Sequence, residues 1–107
     1  MKVKIYMRTM NEVHCIYLND KKYSNILVNK VKVGYDIDRF KFKLFDMISD
    51  WPKCLEEKSI ADGLEYEIKI KENGEVQKYL FKNKFPKDIY RLSSLINDLL
   101  QEVKDGI

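Results

Sequence analysis

His14 is the single histidine of the chain, with Cys15 beside it and Cys54 farther on, so any nucleophilic chemistry would have to be assembled from these three. A cysteine nucleophile needs a base within hydrogen-bond reach, or another source of positive charge, to hold it as thiolate. Successive side chains of a strand point to opposite faces, so His14 and Cys15 cannot serve each other within extended chain. His14 with Cys54 is the one conceivable dyad, and no residue type around either marks an activated thiol. A solvent-facing or locally hydrogen-bonded His14 is the expectation. A single histidine also removes every multi-histidine metal site. The two cysteines lack metal-ligand spacing, and in an intracellular chain they would stay reduced, both expected as small buried hydrophobes.

Asp36, Asp38, Asp46 and Asp50 are the other candidate cluster. Asp46 and Asp50 are four apart and share a helix face, which would let two carboxylates meet a divalent cation. No further ligand converges on them, there is no EF-hand loop, and Lys43 and Lys53 are close enough in sequence to neutralise them. A solvated helix face is expected. The four glycines, at 34, 63, 74 and 106, are scattered as turn and cap residues, which excludes a glycine-rich phosphate loop. Glu56-Glu57 and Ser93-Ser94 have no partners that would make them acids or nucleophiles. No catalytic, cofactor-binding or metal-ligating residue is therefore assigned, and the chain is expected not to be an enzyme.

The scaffold that must position these residues is small. At 107 residues the chain is of the usual size for one domain, spanning 1–107. An apolar fraction of 45% with five Phe, seven Tyr and one Trp supplies core material that disordered chains lack. Twenty basic and seventeen acidic residues leave a net charge of +3, with both signs interspersed. Only Arg8, Arg39 and Arg91 among the basic residues are arginine, whereas bidentate recognition of phosphates and base edges favours the guanidinium fork. The charge balance gives no mandate for nucleic acid. The first nine residues alternate charged with apolar types and no run of eighteen apolar residues occurs, so neither a signal peptide nor a membrane span is expected, and the cytoplasm is the expected location.

Residues 2–8 alternate with a period of two, placing Val3, Ile5 and Met7 on one face and Lys2, Lys4, Tyr6 and Arg8 on the other. Polar turns at 9–11 and 19–22 lead to a second strand at 12–18 and a third at about 23–33. Gly34 breaks the pattern, Asp36 or Asp38 can cap a helix over 38–50, and Pro52 stops it. The connection 52–63 is longer than usual and is the one loop with room for function, with a short turn around residues 55–58. Asp62-Gly63 opens a strand with Leu64, Tyr66, Ile68 and Ile70 inward. Asn73-Gly74 is a strong hairpin signal because a type I′ turn needs positive φ at both central residues. That turn pairs Ile70 with Gln77, Ile68 with Tyr79 and Tyr66 with Phe81. Pro86 precedes a last helix whose Ile89, Leu92, Leu95, Ile96, Leu99 and Val103 form one stripe, ended by Gly106. The expected fold is α+β: a five-stranded antiparallel sheet with two helices on one face, in the order β-β-β-α-β-β-α.

Such a sheet leaves its other face open. Lys2, Lys4, Tyr6 and Arg8 line it, beside residues from 12–18 whose identity depends on register, and Glu65, Glu67, Lys69, Lys71, Val76, Lys78, Leu80 and Lys82 of the last hairpin. A mixture of charge, Tyr and aliphatics suits protein contact. The candidate partner-binding residues are Lys4, Tyr6 and Arg8 with Leu55, Glu56, Glu57 and Lys58 of the long loop. Asp62-Gly63-Leu64-Glu65-Tyr66, Asn73-Gly74, Tyr79, Asn83 and Phe85-Pro86 with the terminal helix resemble a loose group of small uncharacterised bacterial α+β proteins, over roughly the last 45 residues. That resemblance implies a fold. In size, charge mixture and lack of catalytic groups the chain is similar in kind to toxin-immunity proteins and phage-encoded inhibitors, anti-CRISPR proteins among them. What this implies is a larger protein partner whose functional surface is covered. The alternative is a small nucleic-acid-binding module, with Lys2, Lys4, Arg8, Lys30 and Lys32 on phosphates and Tyr6 or Tyr17 stacked on bases.

Overall fold

The computed structural model describes residues 1–58 and 63–105, and it bends the chain into one sheet carrying two helices. In chain order the elements are β1 (Lys2–Arg8), β2 (Val13–Asn19), β3 (Ile26–Val28), β4 (Val31–Val33), α1 (Ile37–Ile48), β5 (Cys54–Glu56), β6 (Glu65–Glu72), β7 (Glu75–Lys82) and α2 (Tyr90–Asp105). The α+β class and the two helices are as expected. The sheet differs: it has seven strands in the order β4-β3-β2-β1-β6-β7-β5, and it is mixed.

Two departures account for the difference. The expected third strand folds back on itself at Asn29 and Lys30, whose φ values of 49° and 70° make a two-residue turn of the I′ kind. Ile26 then faces Val33 and Val28 faces Val31. The second departure lies in the long connection, where Cys54, Leu55 and Glu56 pair in parallel with Leu80, Phe81 and Lys82 of β7. The Leu80 N–H donates to the Lys53 carbonyl at 2.8 Å and the Glu57 N–H to the Lys82 carbonyl at 2.9 Å, holding this strand at both ends. Residues 54–56 are thus an edge strand where a loop with a turn was expected. Parallel pairing becomes available because α1 carries the chain from the β4 margin across to the other side.

The hairpin of β6 and β7 has the predicted register, with Ile70 opposite Gln77, Ile68 opposite Tyr79 and Tyr66 opposite Phe81. Its turn puts Asn73 at φ 51° and Gly74 at φ 81°. One face of the sheet is buried over its centre: Val3 and Ile5 of β1, Ile16 and Leu18 of β2, Tyr66, Ile68 and Ile70 of β6, and Tyr79 and Phe81 of β7. These pack with Phe40, Leu44, Met47 and Ile48 of α1 and with Leu92, Leu95, Ile96 and Leu99 of α2. The strict alternation along β1 and β6 places both helices over the same face, since every second residue there is buried.

Caps and polar ties fix the helices. Asp36 caps α1, its carboxylate accepting from the Arg39 N–H at 3.0 Å. Trp51 donates its indole N–H to Asp88 at 2.7 Å, and Arg91 reaches both Asp88 and Asp46, so α1 and α2 are joined by a continuous chain of ion pairs and hydrogen bonds. Asp88 is held below the usual carboxylate range by that indole bond and by Arg91, and Arg91 is raised chiefly by Asp46. Ser93 shares a 2.7 Å hydrogen bond with the Tyr66 hydroxyl, which ties α2 to β6. Asp62, expected to lead into β6, and Gly106, expected to end α2, lie outside the described residues. Among the described residues no helix is long and apolar enough to cross a membrane.

Candidate binding surface

The ladder pairings assign the face opposite the helices residue by residue. Across β2, β1, β6, β7 and β5 the side chains fall into rows, because directly paired residues of neighbouring strands point the same way. One row reads Cys15, Tyr6, Glu67, Leu80 and Cys54, and the next reads Val13, Arg8, Glu65, Lys82 and Glu56. A third extends to the other margin as Lys32, Leu27, Tyr17, Lys4, Lys69 and Lys78. Beyond it stand Lys2 and Lys71, opposite each other.

The register also decides which residues of β2 look outward. Val13, Cys15 and Tyr17 do; His14, Ile16 and Leu18 lie on the helix side, which decides what the sequence left to register. His14 Nε2 is 3.0 Å from Glu12 and its Nδ1 is 3.0 Å from the Asn29 amide, the locally hydrogen-bonded state expected. Cys54 stands four strand intervals away and on the opposite face, roughly 19 Å at ordinary ladder spacing. The conceivable His14 and Cys54 pair is therefore not formed, and the expected burial of both cysteines is corrected: Cys54, on an edge strand, is exposed and Cys15 is half-buried on the open face.

The carboxylates expected to be a solvated face are partly structural. Asp36 is the cap and Asp46 is held by Arg91 from α2. Lys43 and Lys53, expected near Asp46 and Asp50, are elsewhere: Lys43 lies 5.9 Å from the Tyr35 ring centre, and Lys53 sits over Tyr79, 4.0 Å from its ring and 2.9 Å from its hydroxyl. No group of three or more potential metal ligands gathers among the described residues.

Charge is unevenly spread on the open face. Among the described residues of its rows, acid occurs only in the two nearest Arg8, where Glu65 pairs with Arg8 at 3.1 Å and Glu67 with Lys78 at 3.5 Å. Lys2, Lys4, Lys69 and Lys71 form no ion pair among the described residues. Lys4, Lys69 and Lys78 stand side by side on three adjacent strands, a like-charge arrangement that works against folding. Beside Lys4 is a hollow of about 430 Å³ lined by Cys15, Tyr17, Leu27, Asn29, Lys30 and Lys4 itself. A smaller one of about 240 Å³ lies between Lys4, Tyr6, Glu67 and Lys69.

Of the seven predicted contact residues, Lys4, Tyr6 and Arg8 share this face, and Glu56 joins it in the Arg8 row. Leu55 points to the other side, half-buried against the core beside Phe81, because β5 alternates like any strand. Glu57 and Lys58 are exposed beyond its end. Leu27, Asn29 and Cys15 were not singled out by sequence as contact residues, though one signal was present: the apolar positions Ile26 and Val28 are even and Val31 and Val33 odd, and that change of parity marks a two-residue turn. Comparison of the chain with protein-family models, with curated proteins and with solved structures gave no match.

Proposed function

We propose that this protein is a non-enzymatic binding protein that covers a functional surface of a larger protein with the open face of its sheet, as toxin-immunity proteins and phage-encoded inhibitors do. The observation that supports this reading is the row of Lys4, Lys69 and Lys78, in which only Lys78 meets a carboxylate, that of Glu67 in the next row. A fold gains nothing from lining up like charges, whereas an acidic partner would neutralise Lys4 and Lys69, which form no ion pair among the described residues, and gain speed of association. Tyr6 and Leu80 in the adjoining row add the apolar and aromatic area typical of a protein interface. The cytoplasm, where both free thiols persist, is the compartment this reading takes.

The same lysines, with Tyr6 and Tyr17, favour a second reading as a single-strand nucleic-acid-binding module. Affinity capture from the native host separates the two when wild type is run beside a Lys4→Glu, Lys69→Glu double variant. A stoichiometric protein retained by wild type and lost from the variant supports the first reading. Micromolar retention of oligo-dT or oligo-U that falls steeply with salt, in filter binding, would replace it with the second.

A further inference from the structure

We infer that the hollow between Lys4 and Lys30 is an anchor site for one apolar side chain, aromatic or branched aliphatic, carried on an acidic segment of the protein partner. This rests on the proposed protein-binding role of the open face and names the chemistry of what that face would meet.

The hollow is mostly apolar, and several of its polar atoms are already engaged. The Tyr17 hydroxyl accepts from the Asn19 amide at 3.4 Å. Asn29 is engaged three times over: its backbone N–H donates to the Cys15 carbonyl and its side-chain oxygen accepts from the Cys15 N–H, both at 2.8 Å, while its amide nitrogen meets His14 at 3.0 Å. What remains presented by Tyr17, Leu27 and Cys15 is ring, methyl and sulfur, half-buried and held in place. A partner side chain entering there needs no hydrogen bonds and meets a surface that does not have to be ordered first.

The rim is purely cationic. Lys4 and Lys30 line the hollow, Lys32 lies beyond Leu27 in the same row, and no acidic residue lines it. An apolar anchor flanked by carboxylates would satisfy floor and rim together, the arrangement of a desolvated centre inside a charged border. Nucleic acid fits less well, because a base edge would find few donors or acceptors on a floor of ring, methyl and sulfur and the border carries lysine without arginine.

The test is an amide-resolved NMR titration of the whole chain with a short peptide of Asp and Glu around a central Trp. The controls are the same peptide with Trp→Ala, the same peptide with its carboxylates as amides, and oligo-dT. Shifts centred on Lys4, Cys15, Tyr17, Leu27, Asn29 and Lys30, with binding weakened about tenfold or more in both peptide controls, are the expected result. Lys30→Glu, in an exposed turn, should weaken the Trp peptide similarly while leaving the fold's spectrum unchanged elsewhere. Either control binding as well as the parent, or no shift in the hollow at millimolar peptide, overturns the anchor. Tighter occupation of the same residues by oligo-dT overturns it in favour of the nucleic-acid reading. If the peptides fail while the Lys4 and Lys69 double variant still abolishes protein capture, the anchor alone falls and the open-face interface stands.

Discussion

Lys69 is flanked in register by Lys4 on β1 and Lys78 on β7, so Lys69→Glu turns two like-charge rungs into two opposite-charge rungs at one stroke. Ammonium groups about 7 Å apart in water repel by about 0.6 kcal/mol, reduced to about 0.3 kcal/mol by the screening of moderate salt. Reversing the sign on both rungs is therefore worth roughly 1 kcal/mol, the Lys78 rung contributing the smaller share because Glu67 already engages that lysine. Lys69→Gln, which removes repulsion without adding attraction, should give about half of that. In a domain of this size about 1 kcal/mol raises Tm by roughly 4–8 °C. Urea titrations of the three proteins at low and high salt are the assay, with unchanged slopes required for a like-for-like comparison. The gain should shrink in high salt, and the stabilised variant should bind the partner more weakly than wild type. Destabilisation by Lys69→Glu, or a gain that ignores salt, would refute the argument that these lysines are kept at the expense of the fold.

Other perturbations test the scaffold. Asn29→Ala should lose about 2 kcal/mol, because alanine tolerates positive φ less well than asparagine and because the bonds to Cys15 and His14 go, whereas Asn29→Gly should lose about half as much; equal losses in urea melts would discount the backbone contribution. Asp20 is held down to about 2 by hydrogen bonds from Lys41 and the Met1 ammonium. Its folded value lies below its unfolded one, so the stability it adds is complete above about pH 4 and disappears as pH falls towards 2, roughly 1 kcal/mol after allowance for solvent. Asp20→Asn should flatten that part of the acid unfolding curve. A Cβ at Gly63 would lie 1.7 Å from the Asn83 side-chain oxygen, so Gly63→Ala should cost about 1–3 kcal/mol, and adding Asn83→Gly, which also suits the φ of 59° there, should recover most of it in thermal melts.

Local signals carried the parts of the fold that are local. The hairpin of β6 and β7 was legible to its register because Asn73-Gly74 fixes the turn and alternation in both arms checks it. The helices followed from the spacing of Phe40, Leu44, Met47 and Ile48, and of Leu92, Leu95, Ile96 and Leu99. Turn chemistry hid the β3 and β4 hairpin, since Lys30 at φ 70° is not a residue that advertises the left-handed region. The parallel edge was hidden for another reason. Three residues with one aliphatic among them have no period, and their pairing with residues 80–82 is visible only once the chain has crossed the sheet. The open face was legible as a list of outward residues in β1, β6 and β7; the hollow was not, because it is built where β2 meets the concealed hairpin.

β1, the earliest strand in chain order, is the middle of the finished sheet, with β2 on one flank and β6 on the other. β2, β3 and β4 follow within twenty-five residues of Arg8, but β6 begins only at Glu65, fifty-seven residues after Arg8, a delay of roughly 3–11 s at ordinary translation rates. Until β6 pairs, the free side of β1 is a bare margin beside a greasy underside of Val3, Ile5, Ile16 and Leu18. Lys2 and Lys4, alternating with those residues, are well placed to keep neighbouring polypeptides on a polysome from zipping onto it before the chain can close the gap itself.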